Sequence, residues 1–186
     1  MTVPIHVRPS TPADVAAVTG NYAWHVEHGT GTFELDAPAE AEMASRREAV
    51  RGQGLPWLVV ERGGVVQGYA YASAFRPRPA YRFCMEDSVY LAPDAVGLGF
   101  GRLLLAELLA RCQATGARQM LAVIGDSGNA ASIGVHRALG FAHAGTIRSA
   151  GWKFGRWLDV VLMQRSLGAG AGSGAPAIGA ISAAPA

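Results

Sequence analysis

Residues 82–125 constrain the fold more than any other stretch. Two apolar runs, RFCMEDSVYL at 82–91 and QMLAVIG at 119–125, flank the glycine-rich loop APDAVGLGFG and a helix expected from about Gly99 to Thr115. In that helix Gly101, Leu105, Leu108, Leu109 and Cys112 share one face, and Glu107 and Arg111 share the other. Strands joined by a helical crossover run parallel, because an antiparallel pair needs only a tight turn. The second run is apolar without alternation, as in a strand covered on both faces. The chain therefore contains a sheet with a parallel pair and a helix packed on it.

The remaining segments extend that sheet. VPIHVR at 3–8 alternates like a short strand, and Ser10, Thr11 and Asp14 then open a helix from about Pro12 to His25. GTGTFE at 29–34 reads as a loop before a second helix, Ala39 to about Arg51. PWLVVER at 56–62 and VVQGYAYASAF at 65–75 form a hairpin across Gly63 and Gly64. GNAASIGVHRALG at 128–140 is a short helix stopped by Gly140, and strands follow at about 141–149 and 158–165. The whole is an α/β chain with a mixed sheet. From 168 to 186 the sequence is Gly/Ala-rich and uncharged, and a disordered tail is expected there.

Composition excludes several classes. With 186 residues, 50% of them apolar, one domain and a real core are expected, here 1–167. Sixteen Lys plus Arg against fourteen Asp plus Glu leave a charge of +2 with no basic block, so no nucleic-acid partner is expected. No run reaches the roughly 18 apolar residues of a membrane span. The N-terminus, MTVPIHVRPST, lacks a basic start leading into an apolar stretch, so a cytoplasmic protein without a membrane partner is expected. Cys84 and Cys112 show no metal-ligand spacing; both are expected as buried thiols, and no metal is expected.

The loop VGLGFGRLLL admits three readings. A dinucleotide fingerprint needs GxGxxG, but counting from Gly97 the third glycine comes one place early, at Gly101. A nucleotide P-loop needs GK followed by Ser or Thr, which is absent. What remains is either a helix start that uses glycine for close packing, or an anion site made of free amides at a helix N-terminus with Arg102 beside them.

The stretches EDSVYLAPDAVGLGFG, AVIGDSGNAASIGVHRALGF and GWKFGRWLDVVLMQR resemble the GNAT superfamily of acetyl-CoA-dependent N-acetyltransferases, within it the phosphinothricin N-acetyltransferase branch. GTGTFE, PWLVVE, GYAYASAFRPRPAYR and VRPSTPADVAAV are similar to the same branch, so the likeness runs from about 3 to 166. It implies the GNAT acyl-CoA N-acyltransferase fold, with about seven strands and four helices. It also implies acetyl-CoA as cosubstrate, a small amino acid as acceptor, and a homodimer.

The superfamily's loop pattern, Q/R-x-x-G-x-G/A, places coenzyme A pyrophosphate on the amides of Val96, Gly97, Leu98, Gly99, Phe100, Gly101 and Arg102. Val96 stands where Gln or Arg is usual. Val89, Tyr90 and Leu91 are implied to pair with the pantetheine arm like an added strand. Asn129 and Ser132, on a helix stripe with Ile133 and His136, are implied to bind the cofactor, and Asn129 either bonds the pantetheine amides or caps the helix.

Glu86 resembles the branch's general base, against the alternative of a solvated edge carboxylate. His136 stands where many members carry the tyrosine that protonates the thiolate, against a structural hydrogen-bonding role. Arg76 and Arg78 are implied to meet the acceptor's oxyanionic group, whereas Arg82 reads as solvated surface. Phe33 and Phe154 read as pocket walls or dimer contacts. The likeness implies transfer to an amine such as that of phosphinothricin, methionine sulfoximine or methionine sulfone, by direct attack without an acyl-enzyme. Other amines and a non-catalytic acyl-CoA sensor are the alternatives.

Overall fold

The structure, a computed structural model, describes residues 3–175. Its chain order is β1 (Ile5–Pro9), α1 (Val15–His28), α2 (Glu40–Gly52), β2 (Trp57–Arg62), β3 (Val65–Ala74), β4 (Cys84–Leu91), α3 (Phe100–Ala114), β5 (Gln119–Gly125), α4 (Ala130–Ala138), β6 (Ala142–Lys153) and β7 (Arg156–Ser166). The strands form a seven-stranded sheet in the order β1-β2-β3-β4-β5-β7-β6. Only β4 and β5 run parallel among neighbouring strands, as the helical crossover requires.

Strand alternation divides the core into two layers. Leu58, Val60, Ala70, Ala72 and Met85 face Leu104, Leu105, Leu108 and Cys112 of α3. Trp57, Val59 and Tyr69 face Val18, Tyr22 and Val26 of α1 and Met43 of α2. Phe100, 1% exposed, anchors the start of α3 in the first layer. Beneath the α1 entry, Arg8 joins β1 to Asp14 at 2.8 Å and to Glu61 of β2 at 2.8 Å. The Arg8 guanidinium, helped by the Thr11 amide and hydroxyl, holds the Asp14 carboxyl down to about 2, against the opposing effect of burial.

Several boundaries differ from expectation. β6 runs on to Lys153 and β7 begins at Arg156, so GWKFGRW is the tip of a hairpin. Its two turn residues, Phe154 and Gly155, have φ of 53° and 71°, the pattern of a type I′ turn. Cys112 is buried as expected and its thiol is pushed up to about 12 by burial. Cys84 is only half-buried at the start of β4, so it is not a core thiol. Of the tail, residues 168–174 turn back on the domain: the Gly168 amide donates to Gln113 Oε1, and Arg118 donates to Ser173 Oγ. Residues 176–186 lie outside the described residues.

Candidate active site

The site arises where the parallel pair stops pairing. β4 and β5 are in register from Cys84↔Gln119 to Asp87↔Ala122, yet β4 continues to Leu91 and β5 to Gly125. Each strand stays paired on its outer edge, Gly68↔Leu91 on one side and Gly125↔Val160 on the other. The two tips therefore diverge and leave unpaired backbone on the inner edges, the geometry that takes an extended ligand as an added strand. A cleft of about 690 Å³ opens there, bordered by Ser88–Leu91, Ala122–Asp126, the 96–102 loop, α4 and residues 29–31.

Polar ties at its rim hold the tips apart. The His25 Nε2–H of α1 donates to the Leu91 carbonyl at 2.7 Å. Asn21 of α1, with its amide nitrogen turned toward the same oxygen, donates at 3.1 Å. Burial keeps His25 below its ordinary pKa, so it acts as a neutral donor. At the β5 tip, a Cβ on Gly125 would lie 2.2 Å from the Thr30 carbonyl oxygen, so residues 29–33 rest directly on that glycine. The buried Lys153 secures this segment by donating to the Gly29 and Thr32 carbonyls, at 2.9 Å each. The Phe33 ring is wedged against Gly151, where a Cβ would meet it at 2.5 Å.

Beyond Leu91 the loop presents amides outward. Gly97 and Gly99 have φ of 83° and 84°, a left-handed conformation that glycine adopts without strain. The first α3 amide with an intrahelical acceptor is that of Leu103, which bonds Gly99 O. The N–H groups of Phe100, Gly101 and Arg102 have no backbone acceptor among the described residues, and the helix dipole adds partial positive charge there. Val96, Gly97, Gly99, Gly101 and Arg102 border the cleft. Leu98 is exposed outside it, and the Phe100 side chain lies in the core, so these two offer the site only backbone.

At the vertex of the split Asp87 points toward α4. His136 Nε2 meets Asp87 Oδ1 at 2.9 Å, and His136 Nδ1–H donates to the Ser132 carbonyl at 2.7 Å. Both side chains are almost fully buried, and Asp87 Oδ2 has no partner among the described residues. Burial disfavours the imidazolium, but the Asp87 carboxylate outweighs it and raises the His136 pKa; burial raises that of Asp87. One proton shared between Nε2 and Oδ1 keeps the pair neutral overall. With both ring nitrogens engaged, His136 presents no free nitrogen to the cleft, which corrects the expectation that it acts on the thiolate directly. Asn129 caps α4 by accepting from the Ser132 amide at 3.1 Å, and it also borders the cleft.

Alternation along β4 sends Glu86 to the sheet face opposite Asp87, where it does not border the cleft. Burial first, then the neighbouring Asp87, raises its pKa, while Arg76 works in the other direction. Arg76 is thus close enough to act on Glu86 and stacks over Phe75 at 5.0 Å. Arg78 is exposed and makes no side-chain hydrogen bond among the described residues. Arg82 stacks on Phe83 at 4.6 Å, as a surface residue can. Phe33 is a wedge between the 29–33 segment and the β6–β7 hairpin, outside the cleft lining.

Residues that the sequence did not single out are His25, Asn21, Asp87 and Lys153. The EDSVY stretch contains Asp87, but only the meeting of β4 with α4 reveals its partner. Among the described residues no three or more His, Cys, Asp or Glu gather as a metal site would require, and no helix is long and apolar enough to cross a membrane.

A split parallel pair opening onto a helix-start amide cradle is an acyl-CoA transferase architecture, and the chain belongs to the acetyltransferase (GNAT) family, whose pattern its residues 22–141 match. Among its relatives, a phosphinothricin N-acetyltransferase from Alcaligenes faecalis is 55% identical over 88% of this chain and 83% of its own length. An L-methionine sulfoximine/L-methionine sulfone acetyltransferase from Pseudomonas aeruginosa is 47% identical over 83% of this chain and 92% of its own. The crystal structure of a phosphinothricin acetyltransferase from Sinorhizobium meliloti, in complex with acetyl-CoA, superposes with a TM-score of 0.90 at 47% identity, covering 95% of each chain.

Proposed function

We propose that this acetyltransferase moves the acetyl group of acetyl-CoA to the α-amine of a small amino acid bearing a tetrahedral phosphorus or sulfur centre, such as phosphinothricin, methionine sulfoximine or methionine sulfone. The observation that carries the reading is the split beyond Asp87↔Ala122. It offers free strand edges for the pantetheine amides and leads straight to the unpaired amides of Phe100, Gly101 and Arg102 for the pyrophosphate. The substrate classes come from the relatives at 55% and 47% identity.

The acceptor enters from the α1/α2 face, where Glu86 is the base. Its raised pKa makes it a better match for an ammonium proton than an ordinary carboxylate. Arg76, whose charge acts on Glu86, meets the acceptor's oxyanionic end in this reading, with the exposed Arg78 as the second guanidinium. A backbone amide of Val89, Tyr90 or Leu91 polarises the thioester carbonyl. Attack is direct: Cys112 is buried with a raised pKa, and burial and Glu86 also raise that of Cys84.

The test is acetyl-CoA consumption with methionine sulfone, methionine sulfoximine, phosphinothricin, spermidine and an alanine-terminated peptide. Turnover with one or more of the first three is expected. Turnover confined to spermidine or the peptide would overturn the substrate reading.

A further inference from the structure

We propose that Ser132 hands the proton to the departing thiolate, drawing on the His136–Asp87 pair behind it. The inference rests on the acetyl-CoA reading above. Three groups line up from the buried vertex of the split toward the cleft. Asp87 Oδ1 lies 2.9 Å from His136 Nε2, and His136 Nδ1 lies 2.7 Å from the Ser132 carbonyl and 3.4 Å from Ser132 Oγ.

The carbonyl fixes the direction of the array. It can only accept, so Nδ1 carries a hydrogen and cannot take one from the serine hydroxyl. Ser132 is therefore not activated as a nucleophile, although Asp, His and Ser stand in a row. Its Oγ receives a share of the Nδ1–H, while its own hydrogen has no acceptor among the described residues. Both residues border the cleft, but His136 is only 3% exposed whereas Ser132 is half-buried. Thr30, Ser88 and Tyr90 also border the cleft, but none of their hydroxyls is hydrogen-bonded to an imidazole among the described residues.

The step balances as follows. As the acyl carbon–sulfur bond breaks, its electron pair goes to sulfur. The Ser132 O–H bond breaks and an S–H bond forms, while the Nδ1–H proton passes to Oγ and regenerates the hydroxyl. The pair is left one proton short, as a neutral imidazole hydrogen-bonded to the Asp87 carboxylate. A proton released from the acetylated nitrogen restores it through solvent. A buried, uncompensated Asp87 carboxylate and a bare Nδ1 facing the Ser132 carbonyl at 2.7 Å both make that intermediate state short-lived and favour reprotonation.

The experiment compares single-turnover acetyl transfer from acetyl-CoA and from the acetyl selenoester of CoA, using methionine sulfone, methionine sulfoximine and phosphinothricin as acceptors, for the wild type, Ser132→Ala and Ser132→Thr. The selenol is the stronger acid and leaves without prior protonation. With acetyl-CoA, Ser132→Ala is expected to lose roughly 100-fold, the usual scale for a positioned acid, and Ser132→Thr to recover most of it. With the selenoester the deficit of Ser132→Ala should nearly vanish. Equal deficits with both donors, or no deficit with either, would overturn the proposal. A wild-type protein that acetylates none of these acceptors from either donor would overturn the preceding reading and this one with it. The Asn129 cap uses the Ser132 backbone amide, so neither variant removes it.

Discussion

Gly125→Ala tests whether the 29–33 segment is fixed over the β5 tip. The added methyl would sit 2.2 Å from the Thr30 carbonyl oxygen and 3.0 Å from Phe33 Cε1, where ordinary contact begins near 3.4 Å. One of the two chains has to move by about 1 Å. Little can yield: Lys153 grips Gly29 and Thr32, Tyr22 hydroxyl bonds Thr32 Oγ1 at 2.8 Å, and Phe33 abuts Gly151. Overpacking of this kind costs about 2 kcal/mol, which for a domain of this size lowers Tm by roughly 5 °C. Gly29, Thr30 and Gly31 border the cleft, so the shift should also lower kcat/KM for acetyl-CoA by about 10-fold or more.

Urea unfolding and steady-state kinetics read the two effects. Gly134→Ala is the control, since Gly134 is an exposed α4 residue with nothing within 4 Å of a new Cβ. There alanine should stabilise by about 0.5–1 kcal/mol through helix propensity and a less flexible unfolded chain. If Gly125→Ala keeps stability within about 0.5 kcal/mol of wild type and kcat/KM unchanged, the segment moves aside freely and the clamp made by Lys153 and Phe33 does not exist.

Three further outcomes are expected. Glu86→Gln should depress kcat most between the Glu86 pKa and that of the amine, because only there does an ammonium need the base; an unaltered pH–rate profile would remove Glu86 from that role. Asp14→Asn should cost about 1–2 kcal/mol at neutral pH, allowing for partial screening of Arg8. Since the folded pKa is lowered, the wild type holds this stability above the ordinary carboxylate pKa and loses it as pH falls toward about 2, so the two proteins should converge there in acid unfolding. Val96→Arg should tighten acetyl-CoA binding in calorimetry by adding a cation at an exposed position bordering the amide cradle, whereas an unchanged Kd would mean that the amides suffice.

Sequence patterns reached the secondary structure more readily than the contacts of the site. The crossover from Arg82 to Gly125 specified the parallel pair, because strand spacing and helical period are local signals. The β6–β7 tip escaped notice because its turn places Phe154, a residue with a Cβ, at φ of 53°, where Asn or Asp before Gly is the usual mark. The glycine cradle was legible through motif order, whereas Glu86 stood out only through the family resemblance. The partner of His136 was not: Asp87 lies 49 residues away, and only the packing of α4 beside the strand split brings them together. His25 resembled any histidine in the last turn of a helix until Leu91 supplied its acceptor. Lys153 carries no sequence signal of burial, yet two backbone carbonyls hold it at 4% exposure.

The seat of Phe33 has a consequence for recombination. Its ring occupies space that exists only because positions 125 and 151 both lack a side chain, and the three residues come from widely separated parts of the chain. They behave as one inherited unit. A chimera with crossovers between 33 and 125, or between 125 and 151, stays compatible only if both parents carry an aromatic at the first position and glycine at the other two. A parent with alanine at either glycine position would yield destabilised and less active offspring, however similar the remaining sequence.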